Sequence, residues 1–127
     1  DSRPDILGTW LNSPAADTLR NRVEAGGPLS LDGVAPAAHS LVIGLLHRLF
    51  PERAVFAVVD NLKAQETLHA DLTTWAGGER PVFFPAWETL PHESKLPHAD
   101  IISERLETLV ALDDVTKRSG FLENHFN

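Results

Sequence analysis

The sequence predicts an α/β fold, a three-layer parallel sheet that is incomplete as a domain and built on a degenerate phosphate loop. Three observations predict it. Residues Leu29–Phe50 read as a short strand, a tight loop containing one glycine, and a helix apolar almost all round. Ala54–Val59 (AVFAVV) is apolar throughout rather than alternating, as expected of a parallel strand covered on both faces. Helical patterns separate these runs from each other and from a third, Pro81–Pro85 (PVFFP), and such alternation argues for right-handed crossovers in a parallel sheet.

Residues 1–12 are mixed, with Leu7, Trp10 and Leu11 offering a small apolar cluster. Ser13-Pro14 is a helix start, serine capping and proline at the first helical position. That helix should run to about Ala25 with Leu19 and Val23 on its inner face, and Gly26-Gly27-Pro28 ends it. Then come the strand Leu29–Asp32, the loop Gly33–Ala38 and the helix His39–Phe50. Pro51-Glu52-Arg53 breaks the chain before the second strand, and Asp60-Asn61 caps a helix over Leu62–Ala76. Ala64, Leu68, Leu72 and Trp75 make its buried stripe at helical spacing, and Gly77-Gly78 stops it. After the third strand, residues 86–98 are irregular, punctuated by Pro91 and Pro97. A last helix covers roughly Ala99–Leu112, with Ile102, Leu106, Leu109 and Val110 inward and Asp100 and Glu104 near its positive end. The organisation is therefore an N-terminal helical segment (1–27), an α/β lobe (28–112) and a polar tail without a strand signal (113–127).

Strand, glycine loop and helix is the arrangement that cradles phosphate in nucleotide-binding proteins. A working loop runs Gly-x-x-x-x-Gly-Lys-Ser/Thr, with backbone amides around the phosphates, lysine on the terminal ones and a hydroxyl on magnesium. Counting from Gly33, the second glycine falls on Ala38, the lysine on His39 and the hydroxyl on Ser40. Ala38 adds a methyl where backbone must approach phosphate, and Pro36 removes an amide donor. His39 is shorter than lysine and mostly neutral at neutral pH. The stretch is read as the remains of a phosphate loop kept for packing, and no cofactor is expected on Gly33, Pro36, Ala38, His39 or Ser40. An ordinary turn would look the same, since one glycine in such a turn is commonplace.

Other chemistry is weaker still. His92 and His98, with Glu93 and Asp100 nearby, lack the spacing of a helix turn or zinc knuckle, so they are read as solvated polar residues and no metal is expected. No glycine-x-serine-x-glycine elbow occurs. Trp87 could stack on a base, but no basic residues interleave with it. It is read as a structural tryptophan, with an interdomain contact as the functional alternative, because its loop leaves the carboxyl end of a strand. Arg105 lies on the last helix among exposed acids, a solvated face before it is a docking site.

Composition narrows the classes. The chain has 127 residues, 43% of them hydrophobic, enough for one domain with a real core. Its net charge of −7 lacks the basic footprint of a nucleic-acid binder. Without cysteine it forms no disulfide or thiolate site, which permits a reducing compartment. No apolar run reaches membrane-spanning length and DSRPDILG is no signal peptide, so a cytoplasmic domain is the default. Methionine is absent even at position 1, as in a processed or excised piece.

Residues 84–112 carry a more specific pattern. Phe-Pro-Ala-Trp-Glu-Thr-Leu-Pro, a short linker, then Pro-His-x-Asp-Ile-Ile-Ser-x-Arg-Leu-x-Thr-Leu closely resembles the N-terminal region of the bacterial transcription-repair coupling factor family (Mfd). The strand-loop-helix is similar too, and that family's loop is itself a decayed relative of the ATP-binding loop of the excision-repair protein UvrB. The resemblance covers about residues 28–112. It implies a UvrB-like lobe related to helicase and P-loop ATPase lobes, in a parent that pushes stalled RNA polymerase off DNA with an ATP-driven translocase and recruits UvrA for nucleotide excision repair. On that resemblance this lobe is non-catalytic, ATP and magnesium belong to the parent's motor domains, and partners are the parent's other domains, with UvrA, polymerase and DNA reached through them. The interaction candidates are Trp87, Glu88, Leu90, Pro91 and Arg105.

The chain departs from the family at Pro36, where a loop glycine is usual, and after Leu112, where TKRSGFLENHFN replaces an apolar strand. A missing strand leaves a sheet edge, so a homodimer through that edge is expected. Two other classes compete. A nucleotide-binding lobe of a UvrB-type helicase would need lysine at 39 and glycine at 38. An unrelated receiver-like signalling domain would need an acidic cluster, of which Asp32 and Asp60 are a faint echo.

Overall fold

The computed structural model describes residues 5–75, 80–87 and 96–118. Among them run five α-helices: α1 (Ile6–Leu11), α2 (Pro14–Ala25), α3 (His39–Leu49), α4 (Leu62–Trp75) and α5 (Ala99–Arg118), with a 3-10 turn at Pro36–Ala38. The expected parallel sheet is absent, since no strand or bridge occurs among the described residues. The α/β, three-layer assignment is therefore corrected to a helical arrangement.

The helix boundaries follow from local chemistry. In α1 the Asp5 carboxylate accepts the Gly8 N–H at 3.0 Å, and six residues are too few to display a helical period in sequence. For α2, Ser13 accepts the Ala16 N–H at 3.2 Å, with Pro14 in the first turn and Gly26 at φ +76° ending it. Asn61 caps α4 by accepting the Ala64 N–H at 2.9 Å. The first turn of α5 closes on the His98 carbonyl, and the helix continues past the expected end at Leu112 to Arg118.

The core sits where α1, α3 and α4 meet. Leu7, Leu45 and Phe50 are buried there, and Ala16 of α2 is buried as well. A side chain built on Gly44 of α3 would lie 3.4 Å from Leu7 and 3.5 Å from Trp75, which shows how closely the three helices approach. Arg48 near the end of α3 pairs with Asp5 at 2.9 Å, tying the start of α1 to it. The stripes expected to be buried on α2 (Leu19, Val23) and α4 (Ala64, Leu68, Leu72, Trp75) are only half-buried.

The three strand-like runs form no strand: 29–31, 54–59 and 81–85 take no regular structure and Asp32 enters a turn, for a physical reason visible at Pro81–Pro85. A ladder needs each strand's N–H and C=O groups for its neighbours. Here helix side chains take the carbonyls: His69 bonds the Pro81 oxygen at 3.0 Å, Gln65 the Phe84 oxygen at 2.9 Å, and Thr108 the Phe83 oxygen at 3.0 Å. Arg105 donates to the Pro85 oxygen. Because a carbonyl only accepts, His69 carries its proton on Nε2. The two prolines have no N–H to offer. The run 54–59 makes no backbone hydrogen bond among the described residues, and neither does 29–32.

The inner face of α5 differs from the expectation too. Ile102, Leu106, Leu109 and Val110 are exposed, whereas Ile101, Arg105, Thr108 and Leu112 turn inward. The polar anchors decide this. Thr108 and Arg105 reach the carbonyls of 83–85, which rotates the apolar stripe away from them.

Candidate functional site

The loop after Leu31 was the sequence's first candidate, and its geometry is that of a collapsed turn. Gly33 takes φ +78°, a conformation that favours glycine. From Ala35 the chain coils into the 3-10 turn, in which the Ala38 N–H bonds the Ala35 oxygen at 2.8 Å and the His39 N–H bonds the Pro36 oxygen. Pro36 has no N–H. Three of the positions that would turn donors toward a phosphate therefore offer none.

Ser40, placed where a metal-binding hydroxyl would stand, is 3% exposed, and its oxygen accepts the Trp75 indole N–H at 3.3 Å. His39 remains exposed at the lip of an open cleft of about 310 Å3, shared with Val42, Ile43, Leu68 and residues 56–59. On the loop's other side lies a cavity of about 270 Å3, walled by Leu7, Trp10, Val34, Ala38, Leu41 and Leu45. No lysine or arginine lines either space.

The second candidate was the stretch after Pro85. The structure brings Trp87 and Arg105 together: the guanidinium carbon lies 4.3 Å from the Trp87 ring centre and 3.9 Å from that of Phe84. With its bond to the Pro85 oxygen, Arg105 is clamped across residues 84–87. Phe84 was missed as a member of this cluster, because no periodicity links an extended segment to a helix twenty positions later. Trp87 keeps about half its surface exposed. Glu88, Leu90 and Pro91 lie outside the described residues, as do His92 and Glu93 of the histidine pattern.

Among the described residues no group of three or more His, Asp or Glu could hold a metal ion. Asp32 accepts from Ser30 at 3.0 Å, and Asp60 from Asn61 at 2.8 Å, so each aspartate of the receiver-like pattern is bonded to a residue close in sequence. No helix among the described residues is long and apolar enough to cross a membrane. Among the described residues Asp5 is the carboxylate with a distinct perturbation, held below its usual range first by the Gly8 amide and then by Arg48.

No family model matches the chain, and no solved structure does. Curated relatives match in pieces. A 2-dehydro-3-deoxyphosphooctonate aldolase from Acidovorax sp. (strain JS42) is 56% identical over 41 residues, 32% of this chain and 13% of that protein. The enzyme of that name from Bordetella pertussis is 74% identical over 27 residues, 21% of this chain and 10% of that protein. A transcription-repair-coupling factor from Myxococcus xanthus is 31% identical over 103 residues, 76% of this chain and 8% of that protein. The chain thus spans about a tenth of the length of the curated relatives it matches. About three quarters of it is similar to one short region of a transcription-repair-coupling factor.

Proposed function

We propose that this chain is a non-catalytic structural and interaction lobe of a transcription-repair coupling factor, serving DNA repair by supporting the parent's displacement of stalled polymerase and its recruitment of UvrA. The carrying observation is the loop: Ser40 is bonded to Trp75, and the amides of Ala38 and His39 close a turn. Such a loop supports packing of α3 on α4 and denies a nucleotide the amides of positions 36, 38 and 39 and the motif's lysine, with the Ser40 hydroxyl bonded to Trp75. The similarity to the Myxococcus protein supports the choice of family. ATP and magnesium would act in the parent's motor, with partners reached through neighbouring domains. The Trp87–Arg105 clamp is where such a domain would touch. Isothermal titration with Mg-ATP tests the loop. No saturable heat is expected, and one-to-one binding at micromolar concentration would favour the UvrB-type helicase lobe.

The aldolase similarity favours a second reading for part of the chain. The shares covered by the two kinds of relative add to more than the whole, so they overlap. On this reading the chain is a mosaic of coupling-factor-like and aldolase-like sequence. A stretch of 41 residues is too short to build an enzyme core of its own. Sequencing the genomic locus discriminates. Helicase motifs several hundred codons downstream support the coupling factor, and an aldolase reading frame joined to this one supports the mosaic.

A further inference from the structure

Asp32-Gly33 is the one place in the sequence where a glycine follows an aspartate or asparagine. Both residues are exposed in a turn, with Gly33 at φ +78°. One oxygen of the Asp32 carboxylate accepts the Ser30 hydroxyl at 3.0 Å. The Gly33 N–H makes no hydrogen bond among the described residues. An aspartyl carboxyl carbon and the following amide nitrogen can close a five-membered ring. Glycine hinders that closure least, because it has no Cβ beside the nitrogen.

Elsewhere among the described residues the groups such a ring needs are engaged. After Asn12, the Ser13 N–H bonds the Trp10 oxygen at 3.0 Å, and the Asn12 amide bonds the Gly8 oxygen. After Asp100, the Ile101 N–H bonds the His98 oxygen at 3.1 Å. The Asp5 carboxylate is held by Gly8 and Arg48. Asp60 accepts from the Asn61 side chain, whose own oxygen caps Ala64. Inside α2, α4 and α5 the amide after each aspartate or asparagine belongs to the helix ladder.

We propose that Asp32 is a site of spontaneous isomerisation to isoaspartate, which makes the loop a substrate for an enzyme that methylates isoaspartyl carboxylates. The Gly33 nitrogen forms a bond to the Asp32 Cγ and loses its proton. The bond from Cγ to the carboxyl hydroxyl breaks, and the hydroxyl leaves with that proton as water. A water molecule then adds to the main-chain carbonyl carbon of Asp32. Its bond to the Gly33 nitrogen breaks, and the nitrogen regains a proton. The chain now runs through Cγ, and the former main-chain carbonyl has become a free carboxylate. No atom is gained or lost overall, and nothing is oxidised. The extra backbone carbon falls next to residues 33–35, which wall the cavity beside Leu7 and Trp10.

The test ages the whole folded chain at neutral pH and physiological temperature. Isoaspartate is read as labelled methyl transferred from S-adenosylmethionine by an isoaspartyl methyltransferase. An endoprotease that cuts before aspartate locates it, because the isomerised residue resists that cut. Methyl acceptance is expected to grow with age, with loss of cleavage before residue 32 and an unchanged intact mass. Asp32→Glu is expected to abolish acceptance there, since its ring would need a sixth member. Asp32→Asn is expected to raise it, because an amide, unlike a carboxylate, carries no charge to repel the attacking nitrogen. Helical circular dichroism is expected to be the same in both variants, which change only an exposed turn. A folded chain that accepts no methyl, while the chain aged in urea does, overturns the proposal. So does acceptance that survives Asp32→Glu undiminished, or that maps to Asn12 or Asp60 instead of residue 32.

Discussion

The indole N–H of Trp75, at the end of α4, donates to the hydroxyl of Ser40 in the first turn of α3 at 3.3 Å, with Ser40 all but closed to solvent. The bond spans 35 positions and joins the two helices that make the core's main seam. It also uses the oxygen that a phosphate loop would aim at a metal ion. Replacing Ser40 with alanine strands a part-buried indole donor, so Ser40→Ala should cost about 1–2 kcal/mol in urea unfolding. Trp75 emission should shift with it. An unchanged midpoint would mean that the bond contributes nothing.

Gly44 faces the same seam without needing glycine's freedom. An added methyl would meet Leu7 at 3.4 Å and Trp75 at 3.5 Å, ordinary packing distances. A mid-helix glycine costs roughly 0.5–1 kcal/mol relative to alanine. Gly44→Ala should therefore raise stability by about that amount, measured as a higher denaturant midpoint at constant m-value.

Arg105 should not tolerate lysine. Its flat guanidinium lies over two rings while donating to the Pro85 carbonyl, and an ammonium group cannot do both well. Arg105→Lys should cost about 1 kcal/mol and red-shift Trp87 emission as the ring loses its cover. Retention of both properties would show that the clamp is incidental.

The Asp5–Arg48 contact makes a pH prediction. The Gly8 amide first, and Arg48 second, hold the Asp5 carboxyl below its usual 3.8. A carboxylate depressed in the folded state stabilises above its unfolded pKa, and that contribution fades as pH falls through the lower folded value. Carbon-detected NMR should show Asp5 titrating below 3.8. Arg48→Gln should raise the midpoint only partway, because the Gly8 bond persists. Titration of Asp5 at the ordinary value in the unaltered chain would remove the contact's influence.

Helices were legible where a cap and a period coincided. Ser13-Pro14 marked the start of α2, Asn61 the start of α4, and the apolar run from His39 marked α3. The sheet was misread because AVFAVV and PVFFP have strand composition, and composition cannot report whether neighbouring strands exist to share the hydrogen bonds. Side chains from Gln65, His69, Arg105 and Thr108 satisfied the third run instead, through contacts too distant in sequence to leave a pattern. The same contacts turned Ile102, Leu106, Leu109 and Val110 outward against their amphipathic spacing. At the candidate site, the substitutions at Ala38 and His39 were plain in sequence, whereas the Ser40–Trp75 bond required the fold.

A titration of Mg-ATP followed through the backbone amide signals of Gly33 to Ser40 tests the loop most directly. These signals are expected to stay in place up to millimolar nucleotide, since the Ala38 and His39 amides are already bonded to the Ala35 and Pro36 carbonyls. Saturable shifts confined to those residues, with a micromolar midpoint, would contradict the view that the loop serves packing and not nucleotide.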